Sequence, residues 1–368
     1  MCPRTSVSLR VFLIVSIGLI LVGCTQAEPD VVSFEEADMF ERVGTIEIQE
    51  YDERLIGELT SMNVDADRLR LYIADRTMHR IAVLDYSGSI VQLIGQEGEG
   101  PGELWRPRNA VVWGDSIAVE NARGELSIFA LDGSFVRRGR LEEGTWSRGR
   151  WSLTEHYEDL YLAVTIQDTR EHGVIASPDL PAAARLNHNF TIQEAFGQFH
   201  SLYQEKEIGS RLGTLDINHK GFAALGFNRA PDVLVFDLTR EEVPLVKKVE
   251  IEHPEFMLPP EPLPMGMSIE RTLELAPHMS SVMNTFITND DVVVQTFGNG
   301  TEAYYRDDTR PQEEFHMFAA LGKVGSDERV YFNLPGQILA RDDNDRLYVE
   351  LNHRPDERTI GVYEVNWP

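Results

Sequence analysis

The feature that most constrains this 368-residue chain is a short pattern that returns six times. A polar turn leads into a strand of alternating apolar residues. It reads "RLYIAD" from Arg70, "DSIAVE" from Asp115, "DLYLAV" from Asp159, "GFAALG" from Gly221, "DVVVQT" from Asp291 and "DRLYVE" from Asp345. The steps run from 44 to 70 residues, with a mean of 55. The first two copies superimpose at an offset of 45, with Asp75 on Glu120, Ile81 on Leu126, Val83 on Ile128 and Gly88 on Gly133. Period-two alternation bounded by turn residues predicts strands. Further strands follow many copies ("RIAVLD", "ELSIFA", "DVLVFD", "IGVYEV") and precede most of them ("RNAVVWG", "NTFITNDD", "GQILARDDND"). Three to four strands per unit, six times over, predict an all-β, six-bladed β-propeller in which each blade buries its face against the next. A β-sandwich would not need six equal units in order. Only Ser268–Ala276 carries helical periodicity.

A ring needs closing. The last repeat ends at "GVYEVNWP" with three strands, and "GTIEIQEY" (Gly44–Tyr51) offers a strand ahead of the first repeat. An N-terminal strand in the last blade removes an open edge and locks the ring. Between the first two units lies "GQEGEGPGELWRP", Gly95–Pro107. The chain must travel there from the outer edge of one sheet to the inner strand of the next, about 15 Å for three strand spacings. Glycines permit a tight positive-φ path, and Pro101 and Pro107 stiffen it. A phosphate-binding loop would need Lys-Ser/Thr and a helix at its end, where this chain has Glu103-Leu104-Trp105. This crossing, together with "LYIAD…RIAVLD" before it, resembles the NHL-repeat and related bacterial six-bladed propeller families. Those families use Gly-x-Gly-x-Gly-x-Phe-x-x-Pro between blades. The resemblance is clear over residues 70–140.

The leader carries an address. Arg4 and Arg10 precede the apolar run Val11–Gly23, which is short for a membrane span and suited to a signal peptide. It ends in Leu21-Val22-Gly23-Cys24, which resembles the lipobox of bacterial lipoproteins. The resemblance implies cleavage before Cys24, lipid attachment at Cys24, and a place in the cell envelope. Thr25, where an Asp would signal inner-membrane retention, points to the outer membrane. The expected organisation is a signal peptide over 1–23, an acidic tether over 24–42 and the propeller over 43–368. The only other cysteine, Cys2, leaves with the leader, so the domain relies on its core rather than on disulfides. The formal charge is −26, and −28 without residues 1–23. Such a chain is a poor partner for nucleic acid. A monomer is expected.

Catalytic patterns are missing from the sequence. It has no His-Glu-x-x-His, no zinc-spaced cysteines and no Gly-x-Ser-x-Gly. "RDDNDRLY" (Arg341–Tyr348) fails the calcium-loop spacing and reads as a hairpin turn. No metal ligand and no cofactor is assigned. Propeller geometry places acids such as Asp65, Asp115, Asp159, Asp291 and Asp345 in the turns leaving the inner strands. The opposite ends collect arginine and tryptophan. Candidate ligand residues at the channel mouth are therefore Arg108, Arg150 and Arg211 for an anionic group, Trp105, Trp146 and Trp151 for stacking, and Asn109, Asn284 and Gln337 for polar contact. The insertion His253–Met279, rich in Pro and Met, suits recognition or simple surface packing. The favoured function is a lipid-anchored module that binds a small anionic ligand or a protein. The alternatives are a propeller hydrolase or lyase with a channel metal, and a scaffold for outer-membrane assembly.

Overall fold

The computed structural model describes residues 31–33, 39–51, 54–142, 145–147, 151–166, 180–209, 212–251, 253–264, 266–307, 311–352 and 358–366. Six sheets follow one another around a ring, each a meander of antiparallel strands. Blade 1 comprises Leu59–Asp65, Arg70–Asp75, Arg80–Asp85 and Ile90–Ile94. Blades 2, 3 and 4 begin with the inner strands Pro107–Trp113, Leu153–His156 and Gly213–Ile217. Blade 5 runs through Ser281–Ile287, Val292–Gly300, Phe315–Lys323 and Arg329–Leu334. Blade 6 supplies Ile338–Arg341, Leu347–Asn352 and Thr359–Val365. Its fourth strand is Phe40–Glu47, paired antiparallel to Thr359–Val365 with Phe40 opposite Val365 and Glu47 opposite Thr359. The expected N-terminal closure is therefore present.

The repeat pattern explains the packing. In Arg70–Asp75, Leu71 and Ile73 enter the core shared with blade 6, while Tyr72 and Ala74 enter the core shared with blade 2. Alternation here sorts side chains between two buried interfaces, because a blade has a neighbour on each face. One apolar cluster fills each of the six interfaces. Asp75, fully buried at the end of this strand, accepts backbone hydrogen bonds from Gly57 (2.9 Å), Glu58 (3.0 Å) and Met78 (3.1 Å).

Two N-terminal features extend past the expected boundary at residue 43. The closing strand begins at Phe40, and Val31–Ser33 adds a fifth strand to blade 5, parallel to its outermost one. Closure is also stitched onto blade 1. Gln49 N–H donates to Gly88 O at 2.9 Å, and Gly88 has φ +83°, where a Cβ would sit 1.8 Å from Glu47 O.

Helices are few. Ile269–Leu275 matches the one periodic stretch, with Ser268 Oγ capping Arg271 N–H. Leu202–Glu205 and Glu302–Arg306 were not expected, since four or five residues are too short to show a helical period. The Asp-rich turn in blade 6 is a hairpin, as read: Asp342 Oδ1 accepts from the backbone of Asn344 and Arg346, 2.9 Å each.

Candidate functional site

The inner strands of all six blades line the ring axis, but the space left between them is only about 60 Å³. We call the face where these strands begin upper and the other lower. Near the upper end, Trp151 stands with φ +51° and its buried indole N–H donates to Leu339 O across the axis at 2.6 Å. Near the lower end, the Arg341 guanidinium of blade 6 reaches Asp216 of blade 4 at 2.9 Å and Asp345 at 3.0 Å. It also donates to Ile217 O at 3.2 Å. Burial opposes the charge on Arg341, yet the Asp216 and Asp345 carboxylates more than offset it, so its pKa is raised. The axis is thus plugged at both ends.

A far larger space lies beside the axis instead. It is an open cleft of about 960 Å³ on the upper face, over blades 5, 6 and 1. Its shape follows from a short crossing. Blade 5 ends at Leu334 and blade 6 begins at Ile338, so Pro335-Gly336-Gln337 is the entire connection. Gly336 lies so close to the second strand of blade 6 that a Cβ would meet Glu350 O at 1.9 Å. Glu350 N–H in turn donates to Gln337 O at 2.8 Å. The connection hugs its own blade and leaves the space above it open.

Blade 5 builds the opposite wall. Its second and third strands continue upward into the helix Glu302–Arg306 and the segment leading to Phe315. Tyr304 packs on Phe315 with ring centroids 4.9 Å apart. Met283, Leu339 and Leu59, from three inner strands, lie at the axial side, and Glu255 comes from the insertion. The lining includes Glu58, Glu255, Glu313 and Glu350 and, among the described residues, no lysine or arginine, although Arg76 stands 3.6 Å from the Glu58 carboxylate just outside it. Behind this wall, buried His253 is ringed by Phe297, Phe318 and Tyr331 at 4.9, 5.3 and 5.1 Å. Its Nδ1 accepts from Glu255 N–H at 3.1 Å, and burial pushes its pKa down to about 4. It is neutral at neutral pH and adds no positive charge.

The residues expected to form one mouth do not share one cavity: Asn109 and Trp151 line the narrow axial space, while Gln337 lines the cleft. Trp105 carries Arg123 over its ring at 4.3 Å and Arg106 at 5.6 Å. Arg108 donates to Ser147 O at 3.1 Å, tying blade 2 to the segment before blade 3. Asn109 is buried against Glu120 (2.5 Å) and Ser152 (3.0 Å). Burial raises the pKa of Glu120, with the Ser147 and Asn109 hydrogen bonds opposing. Trp151 plugs the axis, and Asn284 donates to Ile338 O. Gln337 does line the cleft, with its Nε2 buried and lacking a partner among the described residues. Arg150, Arg211 and Cys24 lie outside the described residues, as does the Trp146 side chain. Sequence reasoning missed Tyr304, Phe315, Glu313 and Glu58. The available signal was the unusually short "LPGQ" crossing beside the long segment between Gly300 and Phe315.

Residues 25–146 match the model of the DUF5128 family, described as a 6-bladed beta-propeller. The chain is a six-bladed β-propeller. Solved structures agree on the fold. A DUF4221 family member from Bacteroides vulgatus superimposes with a TM-score of 0.64 at 10% identity, covering 89% of this chain and 99% of that one. A Bacteroides fragilis protein named for its inferred export gives 0.56 at 12% identity, covering 92% and 98%. At these identities the likeness extends to the propeller alone. No curated protein matches the sequence. Among the described residues of the propeller, no three His, Cys, Asp or Glu side chains gather as a metal would require.

Proposed function

We propose that this propeller is a binding module of the bacterial cell envelope, anchored through lipid on Cys24, whose ligand occupies the upper-face cleft over blades 5, 6 and 1. The observation that carries the reading is the cleft itself. Its 960 Å³ is of the size that holds a drug-sized ligand or a short peptide segment, and its walls mix aromatic and thioether surface with a few polar groups. The leader supports the address, since charge, apolar core and cysteine fall in register ahead of the domain.

The charge of the wall selects among ligands. An anionic ligand at the axis would depend on Arg150 and Arg211, while Arg108 is engaged by Ser147 O. Glu255, Glu313 and Glu350, with Glu58 beside Arg76 and no lysine or arginine among the described lining residues, favour a ligand that presents ammonium or guanidinium groups beside apolar surface. The overall charge of −26 would steer such a ligand inward.

Fluorescence anisotropy with a labelled Arg/Lys-rich decapeptide and an Asp/Glu-rich counterpart tests this. The basic peptide should bind more tightly, and Glu255→Gln with Glu313→Gln should weaken it by about tenfold, as expected for two exposed charge pairs. Equal binding by the double variant, or preference for the acidic peptide, would reject the assignment.

A further inference from the structure

The strand Val31–Ser33 fixes how an anchored propeller is presented. We propose that the chain meets a lipid surface through the outer edge and lower hairpin of blade 5, with the cleft turned away from the bilayer. This rests on the reading of Cys24 as the site of lipid attachment.

Polarity comes from the register. The outer strand of blade 5 climbs from the lower to the upper face: Arg329 pairs with Gly322 near the lower hairpin, and Leu334 pairs with Met317 in the cleft wall. Val31, Val32 and Ser33 lie parallel to it, opposite Tyr331, Phe332 and Asn333. A parallel partner runs the same way, so the chain reaches Val31 from the lower face. Val31 is held there by packing on the core between blades 4 and 5, which contains Val249, Ile251 and Tyr331.

Reach comes from the spacing. Residues 25–30 are all that separate Cys24 from Val31. Seven Cα steps extend about 25 Å at most. Two four-stranded blades facing each other across the axis span about 40 Å at the usual strand spacing. The tether is therefore shorter than the disc is wide, and the lower rim of blade 5 must stay close to the surface while blade 2 need not. The cleft opens at the far end of the same strands, about 20 Å further away for six residues of strand.

Charge agrees with this orientation. The chain has only five lysines, and Lys247, Lys248 and Lys323 stand on the outer strand of blade 4 and the lower end of blade 5, near Arg329. Lys247 reaches the exposed Asp327 at 3.4 Å, and Lys248 reaches Asp232 at 2.8 Å and Glu250 at 3.3 Å, so this rim carries both signs of charge rather than a net positive patch. Elsewhere the lower face carries mostly aspartate, which an anionic bilayer repels. The rim beside the tether is the part of that face least opposed to contact.

The lipidated chain would hold no free thiol, so single cysteines report position cleanly. Asp327→Cys marks the lower hairpin of blade 5, Glu302→Cys its upper end, and Val136→Cys the outer strand of blade 2; all three side chains are exposed. Each full-length variant, labelled with a fluorophore, would be placed in phosphatidylcholine–phosphatidylglycerol vesicles carrying a headgroup nitroxide lipid. Quenching at position 327 should exceed that at 302 and 136 by about threefold or more, the contact falling off within about 20 Å. Attachment with equal quenching at all three, or with the most at 302, would overturn the orientation alone. If the native chain fails to attach, or Cys24→Ser attaches equally well, the anchor reading fails and this one with it.

Discussion

Two crossings between blades do the same geometric job with different material. From blade 1 to blade 2 the chain uses Gly95–Arg106, and the loop fills its own space. Leu104 N–H donates to Gln96 O at 2.7 Å, Gly100 N–H to the Glu103 carboxylate at 2.7 Å, and Arg138 to the carbonyls of Glu99 and Gly100 at 2.9 and 3.1 Å. The Gly100 amide, with Gln96, holds the Glu103 carboxyl below its ordinary pKa. Leu104 is buried in the core between the blades. From blade 5 to blade 6 the chain uses only Pro335–Gln337, and a cleft stands open above it. The long crossing is a structural elbow that seals; the short one leaves room for a ligand. In this fold, then, a long crossing fills the space between its blades, and a short one leaves that space open.

Substitutions can break or sharpen that contrast. The largest effect belongs to the plugged axis. Arg341→Ala strands the Asp216 carboxylate in a buried site and should cost about 3–5 kcal/mol in urea denaturation, the usual consequence of removing one partner of a buried pair. A cost below about 1 kcal/mol would mean that water already relieves the charge. Next is the elbow: Leu104→Ala should cost about 2–4 kcal/mol, as for a buried leucine. A neutral result would mean that the crossing is anchored by its hydrogen bonds alone.

The third effect depends on pH and lies behind the cleft wall. His253 has a folded pKa of about 4 against 6.5 for the free side chain. As pH falls, the unfolded chain takes up the proton first, so stability is intact above 6.5 and declines as pH drops towards 4. The decline from this residue approaches about 3 kcal/mol at its limit. Stability curves measured between pH 7 and 4 should flatten in His253→Phe. Curves of unchanged slope would place the pH dependence elsewhere. The smallest effect should be Tyr304→Ala on the cleft rim, with less than about 1 kcal/mol lost because the ring is only half-buried. The same change should weaken basic-peptide binding in the anisotropy assay; unaltered affinity would remove Tyr304 from the site.

Much of the fold was legible because a propeller repeats one local instruction. The second strand of every blade appears at its quoted signature, and the closing strand, expected over Gly44–Tyr51, runs over Phe40–Glu47, four residues earlier. The site was much less legible. The ring of arginines and tryptophans was drawn from chain order, which places residues at the correct face but says nothing of what their side chains meet. Trp151 illustrates the gap: its position near the upper end of the axis followed from the repeat, while its hydrogen bond to Leu339, 188 residues away, did not.

By itself the sequence determined the number of blades, their meander and the strand that closes them, since alternation and turns act between neighbours in the chain. Only the tertiary structure decided that the axis would be shut by Trp151 and Arg341, that the cleft would open over blades 5, 6 and 1, and that its wall would be acidic. Those outcomes depend on side chains from opposite sides of the ring meeting in one volume, and on how much of that volume a crossing loop happens to fill.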